Sequence, residues 1–489
     1  MIFHSIEFLA FFAVTVLGYM FAPQKARLPL LLAASLFFYG YTSPFMLVHL
    51  GVVAAITYFV AIEIERREDK ARKQALLTVA VVGLVLNLVA FKYTSFLNET
   101  FRSMFGWFGA AYDVPVLNII LPLGISFYSF LMIGYLIDVF RGEPAERDGV
   151  VFGVFVFFFP KMIAGPIERT KNLLPQLRAP MIGFSYAAVT AGLQLMLWGA
   201  FKKVVVADRI APFVDRVYNA PQEFEGVSMV FATWLYAFQL YFDFSGYTDI
   251  ALGAAMVFGI KLVSNFNRPY FARSIQDFWK RWHMSLTNWL NDYIYTPFTR
   301  SRWTGLKMYN LMLLGMMLTF VVSGFWHGAN WTFIVWGALH GSYIVVSLLL
   351  QKRWNKFAKN IGLTKRKQTY KALKISVTFL LVCFSYIFFR ANDLSDAGYI
   401  IANSFSGWTD VVGGIRAVID GKYLEIGLAF AGIAIVMAPE FHKNHAKIGD
   451  MYMSLHSWQR QGLIYAATFA VVVLGAYYNL DQKFIYFRF

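Results

Sequence analysis

Stretches of about 20 mostly apolar residues, the length that crosses a bilayer's hydrocarbon as a helix, recur along this chain. They lie at 1–21, 75–97, 117–140, 185–207, 228–259, 308–326, 330–350, 375–390, 423–438 and 462–480. Inside a bilayer no water satisfies backbone polar groups, so such segments must hydrogen-bond to themselves and fold as helices. Two further apolar regions, 30–62 and 150–168, are interrupted by GYTSP and by FFPKMIAGP. They are expected to be short hairpins or re-entrant pieces whose broken backbone is buried by protein. A composition of 58% hydrophobic and 15% charged residues agrees with this class and argues against a soluble enzyme. The first segment, MIFHSIEFLAFFAVTVLGYMF, has neither a basic leader nor a small-residue cleavage site, and reads as a retained helix rather than a signal peptide. No internal repeat, low-complexity tract or linker divides the chain, so residues 1–489 are read as a single all-α polytopic membrane domain. The lone cysteine, Cys383, excludes an internal disulfide and a thiolate metal cluster.

Charge is placed unevenly. Residues 261–307 carry eight Lys/Arg against Asp277 and Asp292, and residues 351–374 carry nine with no acid, so the two blocks hold +15 of the formal +16. By the positive-inside rule both face the cytoplasm. Topology and contact with anionic headgroups explain most of these side chains; docking of a nucleotide-bearing donor on the same face is the sharper reading. Nucleic acid is not an expected partner, since no soluble domain presents a groove. Counting outward from the blocks, with PQKARLP and EIERREDKARK also cytoplasmic, puts both termini outside and makes 391–422 the longest exposed loop on that side.

Ionisable groups at membrane depth are costly, and each marks a candidate site. In FQLYFDFSGYTDIALG (238–253), Asp243 and Tyr247 are four residues apart and share a helix face, whereas Asp249 lies on another. Two readings of Asp243, Ser245, Tyr247 and Asp249 stand side by side: hydrogen bonds and ion pairs that tie helices together, or a direct part in chemistry. In DFWKRWHMSLTNWLNDYIYTPF (277–298), the aromatic and basic residues, Arg281 and Trp282 among them, suit an interfacial amphipathic helix. His283 is the residue that this leaves over. In SGFWHGANWTFIVWGALHG (323–341), a helical hairpin is expected to turn near His327-Gly328-Ala329-Asn330, just after Trp326. His327 and His340 would point about 220° apart on one continuous helix, so they are not expected to form one pair. Their spacing is not that of HExxH and no metal site is expected. His442 and His445, in HKNH, read as surface histidines. For His327 the residues leave open a buried hydrogen bond or acid/base work, for which imidazole's near-neutral pKa is suited.

GPIER (165–169), DFSGYTD (243–249), FWKRWHMSL (278–286) and WHG (326–328) occur in that order, with FHSIEFL near the start and FSYIFFRA (384–391) late in the chain. In this the sequence resembles the membrane-bound O-acyltransferase (MBOAT) family, and within it a bacterial branch of polysaccharide O-acetylation and D-alanylation subunits. The resemblance implies the MBOAT fold, with about 11 tilted transmembrane helices and re-entrant or interfacial helices around a central tunnel. It places the catalytic core at about 120–350, with His327 as the catalytic histidine and His283 assisting. It makes Trp326, Asn330, Trp282, Arg281, Asp243, Ser245 and Tyr247 candidates to line the substrate tunnel, and His340 and Arg169 supporting residues. Acetyl-CoA is the implied acyl donor, with no tightly bound cofactor. The implied acceptor is an extracytoplasmic polysaccharide or a periplasmic SGNH-type acyltransferase, reached from a bacterial inner membrane. Two alternatives are D-alanyl or other acyl export from a carrier protein and, in another class, a polysaccharide exporter.

Overall fold

The computed structural model describes residues 1–477 except 2, 4, 42, 116–119, 182, 302–304, 442–450 and 453. His442, His445 and the C-terminal FIYFRF, read above as surface histidines and an outward-facing end, lie outside the described residues. Among the described residues every regular element is helical. The chain divides into two compact units, one made of 1–196 with 250–263 and the other of 197–249 with 264–489.

The first unit contains α1 (Ile6–Phe21), α2 (Gln24–Gly40), α3 (Pro44–Arg66), α4 (Lys70–Leu88), which runs through a π-helical turn into α5 (Thr94–Trp107), and α6 (Ile125–Phe140). The short α7 (Gly149–Phe157), α8 (Phe159–Met162) and α9 (Thr170–Arg178) follow, then most of α10 (Tyr186–Ala200). The interrupted region 30–62 is the hairpin of α2 and α3. In FFPKMIAGPIER, Pro160 sits in the first turn of α8, where it is tolerated, and keeps α7 from running on through it; the broken backbone is covered by protein, the Phe159 N–H donating to Ser35 Oγ of α2 at 3.1 Å. Gly124, at φ 74°, sits against this break, where a Cβ would come within 2.7 Å of the Met162 carbonyl oxygen.

The second unit contains α11 (Asp208–Asn219), most of α12 (Val227–Val257), the short α13 (Ile275–Trp279), α14 (Met284–Leu290) and α15 (Thr296–Arg300), and the long α16 (Met308–His327), α17 (Trp331–Asn360) and α18 (Lys367–Arg390). It ends with α19 (Leu394–Asn403), α20 (Val411–Ile419), α21 (Tyr423–Phe441) and α22 (Ser457–Leu474). Across both units, seven described helices are long and apolar enough to span a membrane, and Ile6–Phe21 and Ile125–Phe140 are shorter apolar helices. The expected span at 228–259 is α12, whose 31 residues are buried along most of their length. Protein rather than lipid surrounds it, and that is why it tolerates its acids.

The expected hairpin turn falls where the sequence places it. α16 ends at His327, and Asn330 caps α17 by accepting the Thr332 N–H at 2.9 Å. Gly324 and Gly337 let the two helices close up, since a Cβ on Gly337 would lie 3.2 Å from Gly324 Cα and overlap the Phe320 carbonyl. Without a hydrophobic drive between helices in lipid, such close backbone approach is the packing that remains available. It brings the tryptophans and histidines of both helices into one aromatic cluster.

Candidate active site

His327 is the last residue of α16, with 4% of its surface exposed. Its ring meets Trp336 of α17 edge-on at 5.0 Å and Phe389 of α18 at 5.2 Å, and lies 5.0 Å from the neighbouring Trp326. Asn330, three residues on, also donates from Nδ2 to the Asn392 carbonyl at 2.8 Å, tying the turn to the end of α18.

His283 arrives from a different part of the chain. After α12, residues 265–267 run alongside 281–284: the Met284 N–H donates to the Asn265 carbonyl and the Asn267 N–H to the Arg281 carbonyl, each at 2.9 Å. Between these bonds His283 takes φ 42° and ψ 52°, a left-handed conformation uncommon outside glycine and asparagine. Such outliers persist only where their surroundings over-determine them. The imidazole is fully buried. It meets Phe244 of α12 edge-on at 4.7 Å and Trp326 at 6.2 Å. Burial pushes its pKa down to about 3, so it is neutral at physiological pH. Two imidazoles from distant parts of the sequence thus pack against the indole of Trp326. A neutral ring there can accept or donate hydrogen bonds in surroundings poor in water.

His340 is built differently. Its Nδ1 accepts the indole N–H of Trp279 at 3.2 Å, and its Nε2 lies 2.9 Å from Ser385 Oγ. The Ser385 hydroxyl hydrogen goes to the Val382 carbonyl, so Nε2–H is the donor to Ser385. Both ring nitrogens are occupied, and the residue links α13 to α17 and α18. Its ring and that of His327 each pack on Trp336, at 4.9 and 5.0 Å. As the wheel geometry suggests, these two histidines meet through a shared tryptophan. Beside this cluster a cleft of about 200 Å³ is walled by Trp279, Leu290, Met316 and Phe320, with Lys280 and Asn291 among its polar residues.

The other candidates divide. Trp282 is buried and stacks on Phe278 at 5.5 Å, next to His283. Arg281 pairs with Asp277 one helical turn back, at 2.8 Å. Asp243 lies 2.5 Å from Lys203 Nζ, which also holds Asp208 at 2.8 Å, while Asp249 pairs with Lys202 at 2.7 Å. These acids are therefore half of a buried ion-pair network. Gly246 makes room for it, because a Cβ there would fall 2.7 Å from the Gly199 carbonyl oxygen. Ser245 and Tyr247 are buried on the same helix. Arg169 belongs to the first unit, at the N-cap of α9. Lys202 and Lys203 were not singled out from sequence, yet the signal was present: two adjacent lysines in the apolar run WGAFKKVVVA. They sit on a π-helical turn, Phe201–Ala207, between α10 and α11. Asn265 also escaped notice, because an asparagine in a loop motif gives no sign of which side chain it will meet.

Comparison with known proteins agrees with this architecture. The model of the membrane-bound O-acyltransferase family matches residues 150–389, a span that includes both His283 and His327. A probable alginate O-acetylase of Azotobacter vinelandii is 37% identical over 84% of this chain and 79% of its own. The peptidoglycan O-acetyltransferase of Helicobacter pylori is 35% identical over 79% of this chain and 76% of its own. The teichoic acid D-alanyltransferase of Bacillus subtilis is 30% identical over 56% of this chain and 70% of its own. With a likeness to the first two that runs through most of both chains, the protein belongs to the membrane-bound O-acyltransferase family and is an O-acyltransferase.

Proposed function

We propose that this protein transfers an acetyl group from cytoplasmic acetyl-CoA, across a bacterial inner membrane, for O-acetylation of an extracytoplasmic polysaccharide. Transfer is direct or passes through a periplasmic SGNH-type acyltransferase. The observation that carries the reading is the convergence of His283 and His327 on Trp326, from two segments that otherwise share no sequence neighbourhood. In the reaction the acceptor hydroxyl oxygen attacks the thioester carbonyl, the C–S bond breaks, and the hydroxyl proton passes to the departing thiolate. His327 serves as the base for that proton or as the transient acyl acceptor, and His283 orients or stabilises the developing charge. The cleft beside Trp279 suits the narrow, mostly apolar arm of a thioester donor, and Lys280 lies in the basic block that would attract its phosphates.

A carrier-bound D-alanyl donor is the second reading, favoured by the likeness to teichoic acid D-alanyltransferases. The +15 carried by the two basic blocks favours a nucleotide donor over it. The experiment is to supply ¹⁴C-acetyl-CoA to inside-out vesicles containing the protein and recover label from the vesicle lumen. Label in lumenal glycan or protein, dependent on His327, is the expected result. Lumenal label only from a D-alanyl carrier protein would replace this reading with the second.

A further inference from the structure

Asn265 is fully buried in the segment that runs alongside His283. Its side-chain oxygen receives the Ser285 N–H at 3.3 Å and the Ser285 hydroxyl at 2.6 Å, and lies 3.3 Å from His283 Nδ1. A backbone N–H can only donate, so the amide atom facing Ser285 is the oxygen and the amide orientation is fixed. An oxygen of this kind only accepts, and the hydrogen between it and His283 therefore belongs to Nδ1. The lone pair is left on Nε2.

The backbone supports the same arrangement. The Asn265 carbonyl holds the Met284 N–H at 2.9 Å, so one residue grips the chain on the far side of His283 with its main chain and the imidazole with its side chain. Asn265 Nδ2, by contrast, has no hydrogen-bond partner among the described residues. The acceptor oxygen is the part of the amide that the fold uses.

We infer that Asn265 is a positioning residue that locks His283 as the Nδ1–H tautomer and so presents Nε2 as the ring's hydrogen-bond-accepting atom, able to orient an acceptor hydroxyl. This rests on the catalytic reading of His283 given above. The logic is that of a residue that fixes the tautomer of a catalytic imidazole, with a neutral amide in place of a carboxylate. Because only the oxygen is used, Asn265→Asp preserves the acceptor, whereas Asn265→Leu keeps the approximate volume and removes it.

The test is solid-state ¹⁵N NMR of ring-labelled histidine in the whole protein in lipid, with the His283 signals identified by difference from His283→Gln, together with acetyl-transfer kinetics. In the wild type, His283 is expected to show a protonated Nδ1 and an unprotonated Nε2. Asn265→Leu is expected to lose that pattern and to lower kcat about 100-fold with the KM for acetyl-CoA unchanged. Asn265→Asp is expected to keep both the pattern and most of the rate. A protonated Nε2 in the wild type overturns the inference, and that measurement stands even if Asn265→Leu fails to fold. An unchanged His283 pattern in folded Asn265→Leu overturns it too. Full activity in His283→Gln would instead overturn the catalytic reading of His283, whatever its tautomer.

Discussion

His327→Ala is expected to lower acyl transfer by about 10²–10⁴-fold, the contribution typical of a positioned acid or base, while the protein is still inserted and monodisperse. The ring sits at a helix end, edge-on to Trp336 and Phe389 and beside Trp326. The hairpin itself is held elsewhere, by the cap of Asn330 and the close approach at Gly324 and Gly337. Removing the imidazole therefore takes away chemistry before it takes away fold. Mass spectrometry of surface glycans from cells carrying the variant, at matched protein levels, measures the effect. His340→Ala should behave in the opposite order, because both of its ring nitrogens bind structural partners: destabilisation first, and loss of rate only as its consequence.

Lys203→Met should be the most damaging single change to the fold. Lys203 Nζ lies between Asp208 and Asp243, and the side chains of all three are at most 10% exposed. Removing the cation leaves two buried carboxylates without it, and breaking a buried pair in this way costs about 3–5 kcal/mol, a large part of the 5–15 kcal/mol that holds a typical domain together. Asp243→Asn should cost less, since Lys203 retains Asp208. Pairing Lys203→Met with Asp243→Leu should recover part of the loss, because apolar replacement of buried ion pairs is often neutral. Thermal unfolding in detergent measures all three. Equal midpoints for wild type and Lys203→Met would show that the network contributes nothing.

Much of this was legible in the sequence, and for physical reasons. Membrane class, all-helical fold and the turn at His327–Asn330 follow from apolar length and from the break at Gly328, and the motif order points to the family. The partners of those motifs were not legible. DFSGYTD showed that α12 carried acids, but the helix that neutralises them lies about 40 residues upstream and contributes its lysines from a π-helical turn, which no periodicity rule anticipates. His283 could be named as a candidate. Its left-handed backbone and its contact with Asn265 depend on residues 265–267 running beside 281–284, a tertiary pairing without a local signature. Trp279 lies in the segment that reads as interfacial and Trp336 carries no local signal; only the packed structure shows the first bonding His340 and the second separating His340 from His327.

The central claim is that His283 and His327, on the same indole, work as one catalytic unit. A double-mutant cycle on initial rates of acetyl transfer tests it most directly, with His283→Ala, His327→Ala and the double variant compared at equal amounts of folded protein. Residues that act as a unit are strongly non-additive, so the double variant is predicted to be no slower than the slower single variant. Losses that multiply, or full activity in either single variant, would contradict the account.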